Sequence, residues 1–342
     1  MRKISIVAGL LCTAMAVATP AFANGLIVSA NGFAQIGVND DGSLDASTSA
    51  GFVGIGYKFT GQGGRTGFND ALTPGCPCED WGVSYNGATG GSVGQNLGNF
   101  GIAVGLSSAG TSNNSSAGPT ATFTSNTSMS GIGVTQAFSI GTETASGALF
   151  KDTVTLTNNT GAAITNLRFG RAMDWDVPPT EFAEYVTIKG TGTTTSLKRS
   201  TDNGFANANP LTAIADGGIT APINADFTDN GPADHGALFV FDFGGLADGA
   251  SYSFDIFYGA GANETDALAL LGAISPELYS LGQSSSGGVR NDLPTFVFAF
   301  RGVGGSIVVP PVGVPEPLTL SLFGAGALGA FGAMRRRKAK AA

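Results

Sequence analysis

In residues 152–157, DTVTLT, polar and apolar side chains alternate without a break from Thr153 on. A period of two puts every apolar side chain on one face of an extended strand. The run 158–161, NNTG, is a turn sequence, and 164–173, ITNLRFGRAM, returns as a second extended segment. Together they read as an antiparallel hairpin. Comparable β-type runs occur at 25–38, 52–59, 185–189, 196–199 and 295–301. Residues 237–243 and 251–258 read as a second hairpin through 244–249. Between the runs lie Gly-rich and Asn/Asp-rich connections, and 53 glycines among 342 residues disfavour long helices. The expected fold class is all-β, a β-sandwich-like body with one short helical excursion. That excursion is 265–274, where Leu268, Leu271 and Ile274 recur at spacings of three. Ser275-Pro276-Glu277 reads as the cap of a further helical turn, stopped by Gly282. Residues 61–98 read as loop-rich, 106–130 as surface strands with long loops, and 202–236 as turns.

Both ends of the chain carry apolar segments. Arg2 and Lys3 precede an apolar run at 4–17, and Ala21-Phe22-Ala23 fits a small-x-small cleavage site. Residues 1–23 therefore read as a signal peptide, with the mature chain beginning at Asn24. Cys12 follows Leu11, which does not fit a lipoprotein cleavage site. At the other end, Val314-Pro315-Glu316-Pro317 is stiff and extended because each proline fixes φ. The apolar run 318–334 follows, and then Arg335, Arg336, Arg337, Lys338 and Lys340. As a helix the run spans roughly 25 Å, close to a bilayer core of about 30 Å. The basic cluster stays cytoplasmic by the positive-inside bias. Gly324, Gly326 and Gly329 spell G-x-G-x-x-G, but no βαβ unit surrounds them, so they are read as helix-packing positions.

This order of motif, apolar run and basic cluster resembles the PEP-CTERM sorting signal of bacterial exosortase substrates. The block 258–304 is also similar to the C-terminal body of uncharacterised PEP-CTERM proteins. The resemblance implies an exosortase-type processing enzyme as a partner and recognition at Pro315, Glu316 and Pro317. It also implies a transient inner-membrane tether during export, tail removal, and a destination at the cell surface or in an extracellular polysaccharide matrix. The resulting division is 1–23 signal, 24–305 body, 306–317 Gly/Pro linker and 318–342 transmembrane helix with basic tail. The pattern VTLTN…I-x-NL at 154–167 resembles the hairpins of immunoglobulin-like and related sandwich domains of secreted proteins, an architecture rather than an activity.

The two ends hold seven of the 17 basic residues, so residues 24–317 keep 10 basic and 25 acidic side chains, a formal charge of −15. Such a surface repels nucleic acid and favours cations and solubility. After signal removal two cysteines remain, Cys76 and Cys78. Export favours a disulfide between them. Its ring would be very small, hence strained and easily reduced. Free or intermolecularly paired thiols and a redox or soft-metal site are the alternatives.

The densest chemistry is in Asp174-Trp175-Asp176-Val177-Pro178-Pro179-Thr180-Glu181-Phe182-Ala183-Glu184. Asp174, Asp176, Glu181 and Glu184 offer the oxygens that a hard cation such as Ca²⁺ requires, and Trp175 offers a face for a sugar. Paired carboxylates also serve glycosidases, so a secreted polysaccharide-active enzyme using acids of 174–184 is the alternative function. The plainer reading makes Trp175 a core anchor and pairs Asp174 or Glu181 with Arg168 or Arg171. Asp40, Asp41 and Asp45 miss EF-hand spacing and read as a turn. His235 is the only histidine and no G-x-S-x-G occurs, which argues against a triad hydrolase. The preferred expectation is a non-enzymatic structural or adhesive body without a bound cofactor, Ca²⁺ aside.

Overall fold

The computed structural model describes residues 25–48, 51–76, 78–87, 90–96, 107–108, 120–205, 208–211, 221–286 and 292–308. The segment 1–23, Pro315-Glu316-Pro317 and the apolar run 318–334 lie outside the described residues. No helix among the described residues is long and apolar enough to cross a membrane.

The described chain is mostly β, with several antiparallel sheets and one short helix. The strands are β1 (Gly25–Val28), β2 (Ala34–Val38), β3 (Ala46–Thr48), β4 (Gly51–Val53), β5 (Ile55–Thr60), β6 (Thr66–Asp70), β7 (Glu79–Gly87), β8 (Gly90–Asn96), β9 (Ser107–Ser108) and β10 (Phe123–Met129). They continue as β11 (Ile132–Glu143), β12 (Ala148–Asn158), β13 (Thr165–Trp175), β14 (Glu184–Lys189), β15 (Leu197–Thr201), β16 (Phe227–Ala233), β17 (His235–Asp242) and β18 (Ser251–Gly261). The helix α1 (Glu264–Ile274) precedes β19 (Leu278–Ser284) and β20 (Thr295–Arg301). One sheet runs β16-β14-β19-β20-β18-β12-β11-β10-β9, a second β15-β17-β13-β7-β8, a third β1-β2-β5-β6, and β3-β4 form a ribbon.

Neither expected hairpin forms. β12 pairs with β11 and β18, whereas β13 pairs with β7 and β17. The turn after β12 therefore crosses from the nine-stranded sheet to the five-stranded one, and the segment between β17 and β18 crosses back. These two crossings lie side by side. Asn158 Nδ2 donates to the carbonyls of Ala162 (2.8 Å) and Leu246 (3.0 Å). Ile164 and Leu246 exchange backbone hydrogen bonds. Alternation specifies a strand and its buried face, but strands facing each other across a core satisfy it as well as strands paired edge to edge.

Other expectations are corrected too. Residues 61–98 hold β6, β7 and β8, with β7 inside the five-stranded sheet. Residues 25–38 form a hairpin, β1 against β2, rather than one strand. Ser275 is a left-handed C-cap (φ 53°) and no second helical turn follows. Gly282 lies within β19, where a Cβ would come 2.6 Å from the Trp175 ring. Strand pairing with β14 and β20 overrides the local capping signal.

A shared core joins the larger sheets. Phe239 and Phe241 of β17 meet Phe300 of β20 at 5.4 and 4.9 Å, and Phe169 of β13 meets Phe254 of β18 at 5.2 Å. Such pairs add about 0.5–1.5 kcal/mol each beyond their buried area. On β20, Phe296, Phe298 and Phe300 enter this core while Val297 and Ala299 face α1. Burial on both faces explains its unbroken apolar run. Asn263 caps α1 by accepting from the Asp266 N–H at 2.9 Å. Leu271 and Ile274 of the expected 268/271/274 stripe are buried together with Ala267 and Leu270, while Leu268 packs at the edge of the same cluster, half-buried.

Arg171 is fully buried in this core. Its guanidinium donates to Glu79, to Gln136 Oε1 (2.6 Å) and to the Gly42 carbonyl (3.0 Å), and lies 3.6 Å from Asp152. It also sits over the Tyr258 ring at 5.2 Å. These partners come from both large sheets and from the segment before β3.

Candidate functional site

Asp174 and Asp176 have the same parity at the end of β13, while Phe169, Arg171, Met173 and Trp175 share the opposite, core-facing parity. Trp175 is accordingly buried, and its Nε1 donates to Ser280 Oγ at 3.2 Å. It has no exposed face for a sugar, which corrects that expectation. Glu181 is also removed from the set, because Arg65 Nη2 donates to both its oxygens at 2.8 and 3.0 Å. The pairings expected of Arg168 and Arg171 go elsewhere, to Asp242 and to Glu79 with Asp152.

Asp174, Asp176 and Asp234 do converge. One carboxylate oxygen from each lies within 4.8 Å of the other two. The backbone holds this geometry. The Asp174 N–H donates to the Cys78 carbonyl (3.0 Å) and the Asp176 N–H to the Ala71 carbonyl (2.8 Å). Asp174 lies opposite Gly236 in the β13–β17 ladder, which brings Asp234 alongside. A Cβ at Gly236 would come 1.9 Å from the Met173 carbonyl oxygen, so only glycine permits this approach.

Asp174, Asp176 and Glu184 are buried and Asp234 is exposed. Asp174 Oδ1, both Asp176 oxygens and Glu184 Oε2 have no hydrogen-bond partner among the described residues. Buried polar atoms in folded proteins are rarely left so. Burial, then the Asp234 charge, pushes the Asp174 carboxyl up to about 7. Burial, then Asp174 and Asp234, pushes Asp176 up to about 8. Burial raises Glu184 to about 9 against the opposing His235 N–H, with Asp174, Asp176 and Asp234 adding to the rise. A bound cation would reverse this by favouring the ionised forms.

His235 supports the cluster from behind. Its backbone N–H donates to Glu184 Oε1 (3.1 Å), its Nδ1 meets Asp202 Oδ2 (3.1 Å) and its Nε2 faces the Glu184 carbonyl oxygen (3.2 Å). Both ring nitrogens are engaged, as in a structural histidine. Cys76 and Cys78 are joined by a disulfide with Cα atoms 5.2 Å apart. Their loop borders the cluster, and a Cβ at Gly75 would come 2.6 Å from the Phe182 ring and 3.8 Å from Asp176 Oδ2. Asp41 accepts from the Ser43 N–H and Oγ in a local turn, whereas Asp45 is buried beside Asp70 across Gly54. Asp40, Asp41 and Asp45 thus form no common ligand set.

Sequence reading missed Asp234 as a site residue, since only the β13–β17 pairing brings it to Asp174. No family model, curated protein or solved structure matches the chain.

Proposed function

We propose that this chain is an exported surface or extracellular-matrix protein with a structural or adhesive role, whose β-sandwich body holds a hard divalent cation at Asp174, Asp176, Asp234 and Glu184. Ca²⁺ matches this donor set, because it takes six to eight oxygens from carboxylates, carbonyls and water in flexible geometry. The observation that carries the proposal is the convergence of Asp174, Asp176 and Asp234, the first two buried and carrying unpartnered oxygens. Aromatic contact between the two large sheets supports the sandwich, and the resemblance of residues 314–342 to a PEP-CTERM tail supports the route. In that route the chain crosses the inner membrane, stays tethered by 318–334, and is released by an exosortase-type enzyme at Pro315-Glu316-Pro317. Extracellular polysaccharide is the partner implied by that destination.

The competing reading, a polysaccharide-active enzyme, rests on paired acids of 174–184, and the burial of Trp175 leaves it no stacking face for a sugar there. Thermal unfolding of the mature protein, with Ca²⁺ and then with EDTA, tests the cation site. A ligand that binds only the folded state raises its stability by about 2.7 kcal/mol at a hundredfold excess over Kd. An unchanged melting temperature in both would refute the site. Intact mass of the native protein tests the route, the expected chain running from Asn24 to near Pro317.

A further inference from the structure

Asp174 belongs to two groupings. Its carboxylate lies with Asp176 and Asp234, and it also lies with the sulfurs of Cys76 and Cys78, all three ligand atoms within 4.8 Å of one another. Asp174 Oδ1 is buried and unpartnered, and the disulfide beside it has no proton to donate. The cysteine loop is accessible, with Gly75 exposed and both cysteines half-buried. It is anchored by Cys78, whose carbonyl accepts from the Asp174 N–H at 3.0 Å.

We infer that the Cys76–Cys78 pair selects which class of metal this corner of the protein takes: once reduced, Cys76, Cys78 and Asp174 bind a thiophilic divalent ion such as Zn²⁺. A phosphine reductant supplies two electrons to the disulfide and becomes a phosphine oxide with oxygen from water. The two protons of that water complete two thiols. Metal binding releases both thiol protons to solvent, since the thiolate is the ligand. Two thiolates and one carboxylate suit tetrahedral Zn²⁺, with water in the fourth position. In the disulfide form only carboxylates remain, and these prefer hard cations. Because Asp174 serves both sets, the two metals compete for its carboxylate. That competition rests on the cation site proposed above, whereas the thiolate site does not.

The test uses the mature protein, disulfide-intact or reduced by a phosphine and desalted without oxygen, titrated with Co²⁺ and then Zn²⁺. The reduced protein is expected to bind one Co²⁺ with a near-ultraviolet thiolate-to-cobalt band that Zn²⁺ abolishes, and the disulfide form to show no band. Cys76→Ser/Cys78→Ser removes the band. Asp174→Asn, which relieves a buried charge and keeps the fold, weakens Co²⁺ binding about tenfold or more. A reduced protein without the band overturns the site, and a band of unchanged affinity in Asp174→Asn overturns the role of Asp174. A missing Ca²⁺ shift in the disulfide form strikes the earlier proposal alone.

Discussion

Asp176 combines burial with two unpartnered oxygens and four acidic neighbours, Asp174, Asp234, Glu181 and Asp70. Its ionisation is costly unless a cation is present. Asp176→Asn should raise the melting temperature of the metal-free protein at alkaline pH by several degrees, on the order of 1 kcal/mol. It should also erase most of the Ca²⁺-induced rise. Differential scanning calorimetry of both proteins checks this, and a retained Ca²⁺ response would move the ligand set away from Asp176. At this scale much was legible. Parity along β13 places Trp175 with Phe169 and Met173, hence in the core, and leaves Asp174 and Asp176 on the other side. Arg171 shares the inward parity, yet its local acids suggested a pairing with Asp174 or Glu181, and its actual partners Glu79, Gln136 and Asp152 were not legible. They lie 92, 35 and 19 positions away in the chain, and no local pattern links them.

Among elements, the paired crossings are the least obvious part of the design. Asn158 is fully buried and joins both of them. Asn158→Ala leaves two carbonyls without their side-chain donor and should cost about 2–4 kcal/mol. By contrast, Thr155 meets Ser253 Oγ on the exposed face at 2.9 Å. Thr155→Ala should cost under about 1 kcal/mol. Urea denaturation of the two variants gives the comparison, and equal losses would mean the crossings are not specially held by Asn158. The strands themselves were visible as alternating runs, and α1 as a short helix. Its second turn was misread because Ser-Pro-Glu is a good local start signal, yet 278–284 gains two strand partners instead.

For the whole molecule, buried carboxyls set the pH dependence. Burial pushes Asp80 and Asp152 up to about 8, alongside Asp174, Asp176 and Glu184. The folded state holds these protons more tightly than the unfolded state, which releases them near pH 4. Their stabilisation is therefore full below about pH 4, falls as pH rises above that value, and is gone above about 7 to 9. Metal-free protein should lose stability between about pH 4 and about pH 9. Saturating Ca²⁺ should flatten the share owed to Asp174, Asp176 and Glu184 and leave that of Asp80 and Asp152. Urea midpoints across this range decide it, and a metal-free profile that rises with pH would contradict the buried cluster.

By itself the sequence determined that the body is β-rich, where most strands lie, which of their faces are buried, and that one short helix interrupts them. Period-two alternation and glycine content are local properties, so they survive without knowledge of partners. Only the tertiary structure decided that β12 and β13, and likewise β17 and β18, belong to different sheets. Only the tertiary structure brought Asp234, Glu184 and the Cys76–Cys78 loop to Asp174. Pairing and convergence depend on contacts between residues far apart in the chain, and a single sequence carries no signal of distance in space.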